Sequence, residues 1–181
     1  MSQNLEFMWS PRNFLVGHII LIPNSFDNGL GYVDLVKNTE DSSLLVKNVS
    51  NIKIGSMYAQ CLMPLPNEEN PVILDNNADY FFTPALSGCQ ILIYKNSKGE
   101  ICIEHNNYIG NTKYYFLHYI GVALYNPILC CIHATNHSPF NYGEGYNINT
   151  SQCCVVGVRR GSTWTFYYKN NNIVGEYMIQ I

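Results

Sequence analysis

Three runs at the C-terminus, QCCVVGVRR (152–160), STWTFYYK (162–169) and IVGEYMIQI (173–181), constrain the fold more than any other feature. They are rich in β-branched and aromatic residues and are separated only by Gly161 and by NNN at 170–172. Connections that short cannot carry a crossover, so each run must turn back on its neighbour and pair antiparallel. Further strands are expected at VGHIILI (16–22), GYVDLV (31–36) and SSLLVKNV (42–49), set apart by turn signals such as DNGLG. PLPNEENP (64–71), with three prolines, reads as a surface loop. One segment has helical spacing. Asn111 or Thr112 caps KYYFLHYIGVALY, in which Tyr115, His118, Tyr119 and Val122 recur with a 3.6-residue period. His118 is therefore expected as a partly buried helix residue. The class that follows is α+β: a single domain over 1–181 of mostly antiparallel sheet, with a sandwich-like core and few helices.

Composition narrows what such a domain does. A chain of 181 residues buries roughly two-thirds of the surface it exposes when unfolded. Its formal net charge of −3 and 13% charged residues give no polybasic footprint for a nucleic-acid backbone. The apolar run FLVGHIILIP is too short to span a bilayer and contains His18. Only Arg12 precedes it closely and no small-residue cleavage site follows, so it is read as a core strand and not a signal peptide.

The seven cysteines are Cys61, Cys89, Cys102, Cys130, Cys131, Cys153 and Cys154. An odd number with two vicinal pairs does not resemble a disulfide framework, and apolar surroundings favour buried free thiols for both pairs. His133 and His137 stand four apart, but HATNHSPF is loop-like, ends in Pro139 and lacks the glutamate of a zinc-protease motif. No metal is expected.

Cys89 lies in FFTPALSGCQILIY (81–94), where a small-residue turn enters an alternating apolar run. The run continues through the turn NSKG, with Gly99 suited to a left-handed position, into EICIEHNN. Cys89, Ile91 and Ile93 share one strand face; Ile101, Ile103 and His105 share a face of the next. A register that sets isoleucine against isoleucine places Cys89 opposite His105 or Asn107, so the imidazole lies opposite or diagonal to the thiol. An imidazole within reach favours thiolate, the nucleophilic form. Ser87 and Gly88 leave backbone N–H groups open to a developing oxyanion. Thr83 returns to the histidine if TPALSG curls as a compact turn. On these residues alone a Cys89–His105 pair and a packed cysteine beside an edge histidine stand level.

LSGC at 86–89, followed by strand, hairpin and histidine, resembles the glutamine-deamidating bacterial toxins, a family that includes the cytotoxic necrotizing factor catalytic domains and the stand-alone Burkholderia lethal factor. The resemblance covers residues 82–106, and the small size is closer to the lethal factor. It implies that Cys89 and His105 are catalytic, that Thr83 is the threonine bonded to the histidine, and that the fold is the necrotizing-factor deamidase fold. It also implies no cofactor and a Cys–His thioester mechanism converting a host-protein glutamine to glutamate. The implied partner is a DEAD-box translation-initiation helicase or a Rho-type GTPase, with the helicase slightly favoured, and neither nucleic acid nor membrane. The chain is then expected as a monomeric effector, delivered by a bacterium without a recognisable signal peptide and acting in the host cytosol. Two alternatives stay open: a transglutaminase using the same acyl-enzyme, and a non-catalytic binding module. The Tyr- and Asn-rich NHSPFNYGEGYN (136–147) suits a partner surface under either.

Overall fold

A computed structural model describes residues 2–23, 29–66, 71–107, 112–134, 144–146, 153–170 and 173–180. Among the described residues the fold is mostly β with three short helices. It divides into two compact units, Met1–Met63 with Asp75–Ala85 and Cys153–Ile181, and Pro64–Leu74 with Leu86–Gln152. None of its described helices is long and apolar enough to cross a membrane.

The first unit is built on an eight-stranded sheet. Its order is β1 (Ile20–Leu21), β3 (Leu44–Asn48), β2 (Gly29–Lys37), β4 (Met57–Cys61), β7 (Tyr80–Leu86), β12 (Cys153–Arg160), β13 (Thr163–Asn170) and β14 (Ile173–Gln180). The C-terminal meander is antiparallel as its short connections require, with Gly157 opposite Phe166 and Phe166 opposite Tyr177. Gly161 turns the first hairpin at φ +61°. Gly175 lies under the Tyr168 ring, which a Cβ would meet at 2.0 Å, so a larger residue at that step of β14 would have to displace the tyrosine ring.

Two helices precede the sheet, α1 (Gln3–Trp9) and α2 (Pro11–Gly17). The strand expected over 16–22 is thereby corrected: the chain is helical to Gly17 and only Ile20–Leu21 is strand. Pro11 at the first helical turn after Ser10 is a helix-start signal that outweighs the apolar run behind it. Phe7, Phe14 and Leu15 from these helices join Val33, Leu35, Val46, Met57, Phe82 and Val156 in the unit's core. Asn4 anchors α1 on β2. Its buried amide donates to Asp34 Oδ1 at 2.7 Å and the Gly55 carbonyl at 2.9 Å, and its oxygen accepts the Leu35 N–H at 2.7 Å.

The second unit carries a sheet ordered β11 (Glu144–Tyr146), β10 (Ile128–Ala134), β8 (Gln90–Lys95), β9 (Ile101–Asn107) and β5 (Leu65–Pro66), with β6 (Val72–Ile73) also on β9. β10 and β9 run antiparallel to β8 on either side of it. The expected helix is α3 (Thr112–Ala123), whose Phe116, Tyr119 and Val122 pack on Leu92, Tyr94, Cys102 and Cys131. Strand also enters three stretches not expected to hold it. Leu65–Pro66, the start of the proline-rich stretch, pairs parallel with β9, and 67–70 lie outside the described residues. Glu144–Tyr146, near the end of NHSPFNYGEGYN, pairs parallel with β10, and 136–143 lie outside the described residues. His133 belongs to β10 and is buried; His137 lies outside the described residues. All seven cysteines are free and buried, the vicinal pairs among them.

Candidate active site

The β8–β9 hairpin turns through Asn96–Glu100. Asn96 N–H donates to the Glu100 carbonyl at 3.0 Å, and Gly99 holds φ +81°. Its register pairs Ile93 with Ile103, Ile91 with His105 and Gln90 with Asn106. The parity is the one that groups the isoleucines; Cys89 lies one residue before the first paired residue, Gln90, and continuing the alternation of β8 through it would put it diagonal to His105. Diagonal positions on one face stand about 7–8 Å apart. Among the described residues no hydrogen bond joins the Cys89 thiol to the imidazole.

Both groups are buried, Cys89 at 6% exposure and His105 at 4%. Burial pushes the thiol up to about 11, with the Ser87 backbone acting in the opposite direction. Burial also pushes the imidazole down to about 3. Each group is thus neutral near pH 7. Desolvation penalises both charged forms and so opposes the thiolate–imidazolium pair expected from the sequence.

The turn before the cysteine also differs from expectation. TPAL does not curl; Thr83–Leu86 continue β7, and only Ser87 and Gly88 bend. Ser87 is exposed, whereas Gly88 is buried at φ +110°, a backbone state that glycine alone adopts without strain. Gly88 N–H is not open to an oxyanion. It donates to the Tyr146 hydroxyl at 2.8 Å, and that hydroxyl donates to the Cys89 carbonyl at 2.9 Å. Tyr146 is almost fully buried on β11 and clamps the peptide on both sides of the nucleophile candidate. Thr83 is buried in the first unit, where its hydroxyl donates to the Leu62 carbonyl at 2.9 Å.

The opposite face of the same hairpin carries a polar cluster. Glu104 accepts from the Tyr94 hydroxyl at 2.8 Å and the Asn106 amide at 3.0 Å, and pairs with His118 of α3 through Nε2 at 2.5 Å. Burial alone would raise the Glu104 carboxyl; the bonds from His118, Asn106 and Tyr94 outweigh it and hold the group below its ordinary value. His118 therefore lies where its helical phase placed it, with a carboxylate partner that the sequence reading did not supply. The available signal was a lone glutamate between Ile103 and His105 on the strand face that α3 covers.

No family model matches the chain. Over 92 residues it is 37% identical to the cell wall alpha-1,3-glucan synthase mok12 of Schizosaccharomyces pombe, a stretch that makes up 49% of this chain and 4% of that protein. The chain thus spans only a small fraction of the curated relative it matches. So short a share of the synthase assigns neither family nor activity to Cys89 and His105.

Proposed function

We propose that the chain is a glutamine deamidase of the LSGC type, with the deamidase fold of the necrotizing-factor family, Cys89 as nucleophile and His105 as general base. The single observation that supports the reading is the hairpin register, which pairs Ile91 with His105 and begins one residue after the cysteine of LSGC. Burial leaves both groups neutral but makes the thiol a weaker acid and the imidazole a weaker base, so the transfer requires a bound substrate to polarise the site. The thiol proton passes to His105 as sulfur attacks the carboxamide carbon of a glutamine side chain. His105 then protonates the departing nitrogen, which leaves as ammonia with the thioester formed. Water, deprotonated by His105, adds to the thioester; the C–S bond breaks, glutamate departs, and Cys89 recovers its proton. No cofactor enters. The oxyanion is met by the Cys89 N–H, or by Gly88 N–H once the Tyr146 hydroxyl gives way.

The substrate proposed is a host-cell switch protein, a DEAD-box translation-initiation helicase or a Rho-type GTPase, reached after delivery by a bacterium. A new carboxylate at a glutamine that positions water or ligand disables such a switch. The test is peptide mass spectrometry of lysate treated with wild type and with Cys89→Ala. A gain of about one dalton on one glutamine, absent with the variant, supports deamidation. A larger amine adduct assigns transglutamination instead. The non-catalytic reading is favoured by the burial of both side chains, and it stands if neither change is found.

A further inference from the structure

An open pocket of about 540 Å³ lies at the C-terminal end of α1, lined by Met8, Trp9, Tyr80, Val158, Arg159 and Arg160. All six residues belong to the first unit. The two arginines are not equivalent. Arg159 is matched: its Nη2 donates to Asp79 Oδ1 at 2.9 Å and its backbone N–H to the Asp79 carbonyl at 2.8 Å. Arg160 donates from Nη2 to the Met8 carbonyl at 2.9 Å, an interaction with the negative end of α1. Among the described residues no carboxylate pairs with it. One hydrogen bond leaves most of the five guanidinium N–H donors free for a ligand.

The walls complete a recognition surface. Tyr80 is nearly buried, and its burial together with the Asp79 charge keeps the phenol protonated despite the opposing pull of Arg160, so it stays a donor. Trp9 is 85% exposed at the rim, an apolar ring of the size usually buried. Met8 and Val158 supply the apolar floor. Asp79 stands on the Arg159 side and directs an incoming anion toward Arg160.

We propose that this pocket binds a small molecule in which a planar ring carries a phosphate or carboxylate, with the anion on Arg160 and the Tyr80 hydroxyl and the ring against Trp9. A planar guanidinium matches two oxygens of either anion, and an exposed indole gains most from a flat partner. The site is independent of Cys89 and His105, so it stands whether or not the deamidase reading does.

The chain's two tryptophans provide the readout, because Trp164 is fully buried while Trp9 is exposed. Tryptophan emission of the full chain is titrated with adenosine monophosphate and with 4-hydroxybenzoate; adenosine and inorganic phosphate are the ring-only and anion-only arms. Saturable quenching by one of the ring-bearing acids is expected, and which one responds separates a nucleotide source from an aromatic acid. Arg160→Gln is expected to weaken it about tenfold and Arg160→Lys by less, with adenosine or phosphate alone weaker by a similar factor. Unshifted Trp164 emission in each variant shows that the unit is folded. Calorimetry on Trp9→Phe checks that binding persists, weakened, when the reporter is changed. Absence of saturation with both acids, or saturation unaffected by Arg160→Gln, overturns the proposal.

Discussion

Two histidines in one unit, on opposite faces of the same hairpin, one buried and one partly buried, are held in different ways. His105 lies on the Cys89 face of β9, and burial drives its imidazole toward the neutral form. His118 reaches the other face from α3 and meets the Glu104 carboxylate, whose proton affinity falls as a result. Burial favours the neutral state of a base, while burial against an opposite charge favours the ion pair. The comparison assigns the faces different tasks. The Glu104 face secures α3 to the sheet; on the Cys89 side, burial holds a thiol and an imidazole uncharged.

The largest expected effect breaks the comparison at the reactive face. Cys89→Ala should reduce the proposed glutamine conversion by at least about a thousandfold while leaving the urea midpoint nearly unchanged. Conversion that survives would move reactivity away from this face. Next, Glu104→Ala strands the His118 imidazole in a buried site and should cost about 3 kcal/mol in urea unfolding; a loss under 1 kcal/mol, on the order of an exposed pair, would remove the structural task from that face.

The pH dependence sharpens the contrast. An unfolded histidine takes up its proton near the model value of 6.5, whereas folded His105 resists until about 3. The unfolded state binds more protons between these values, so stability falls as pH drops through that window. Between pH 6.5 and 5 the loss should be about 2 kcal/mol, and His105→Gln should abolish it. Glu104 acts lower down: its depressed carboxyl contributes stability above its unfolded value and loses it as pH falls through the folded one. A wild-type loss between pH 6.5 and 5 that persists in His105→Gln would contradict the assignment. The smallest effect is at the clamp. Tyr146→Phe removes both bonds to the Gly88–Cys89 peptide and should cost about 1 kcal/mol, with faster amide exchange at Gly88.

How much of this was legible follows from the range of each interaction. The hairpin was readable because side-chain parity and Gly99 act within a few residues, and they set the register that pairs Ile93 with Ile103. The meander was readable for the same reason. α2 was misread because FLVGHIILI satisfies helix and strand templates equally, and the deciding signal, Ser10–Pro11, sits before the run. Tyr146 was not legible: it reaches Gly88 from 58 positions away along the chain, where no periodicity links them. The loss of the expected ion pair was hidden too, since spacing gives adjacency but not the desolvation that sets charge.

The most direct test of the uncharged pair is the pH profile of Cys89 alkylation by iodoacetamide, followed by peptide mass spectrometry in wild type and His105→Gln. The account predicts slow labelling at neutral pH and a rate that climbs toward pH 11, with Cys89 ahead of Cys61 and Cys131, whose burial holds them near 12. A fast plateau near neutral pH that disappears in His105→Gln would reveal a preformed thiolate–imidazolium pair and contradict it.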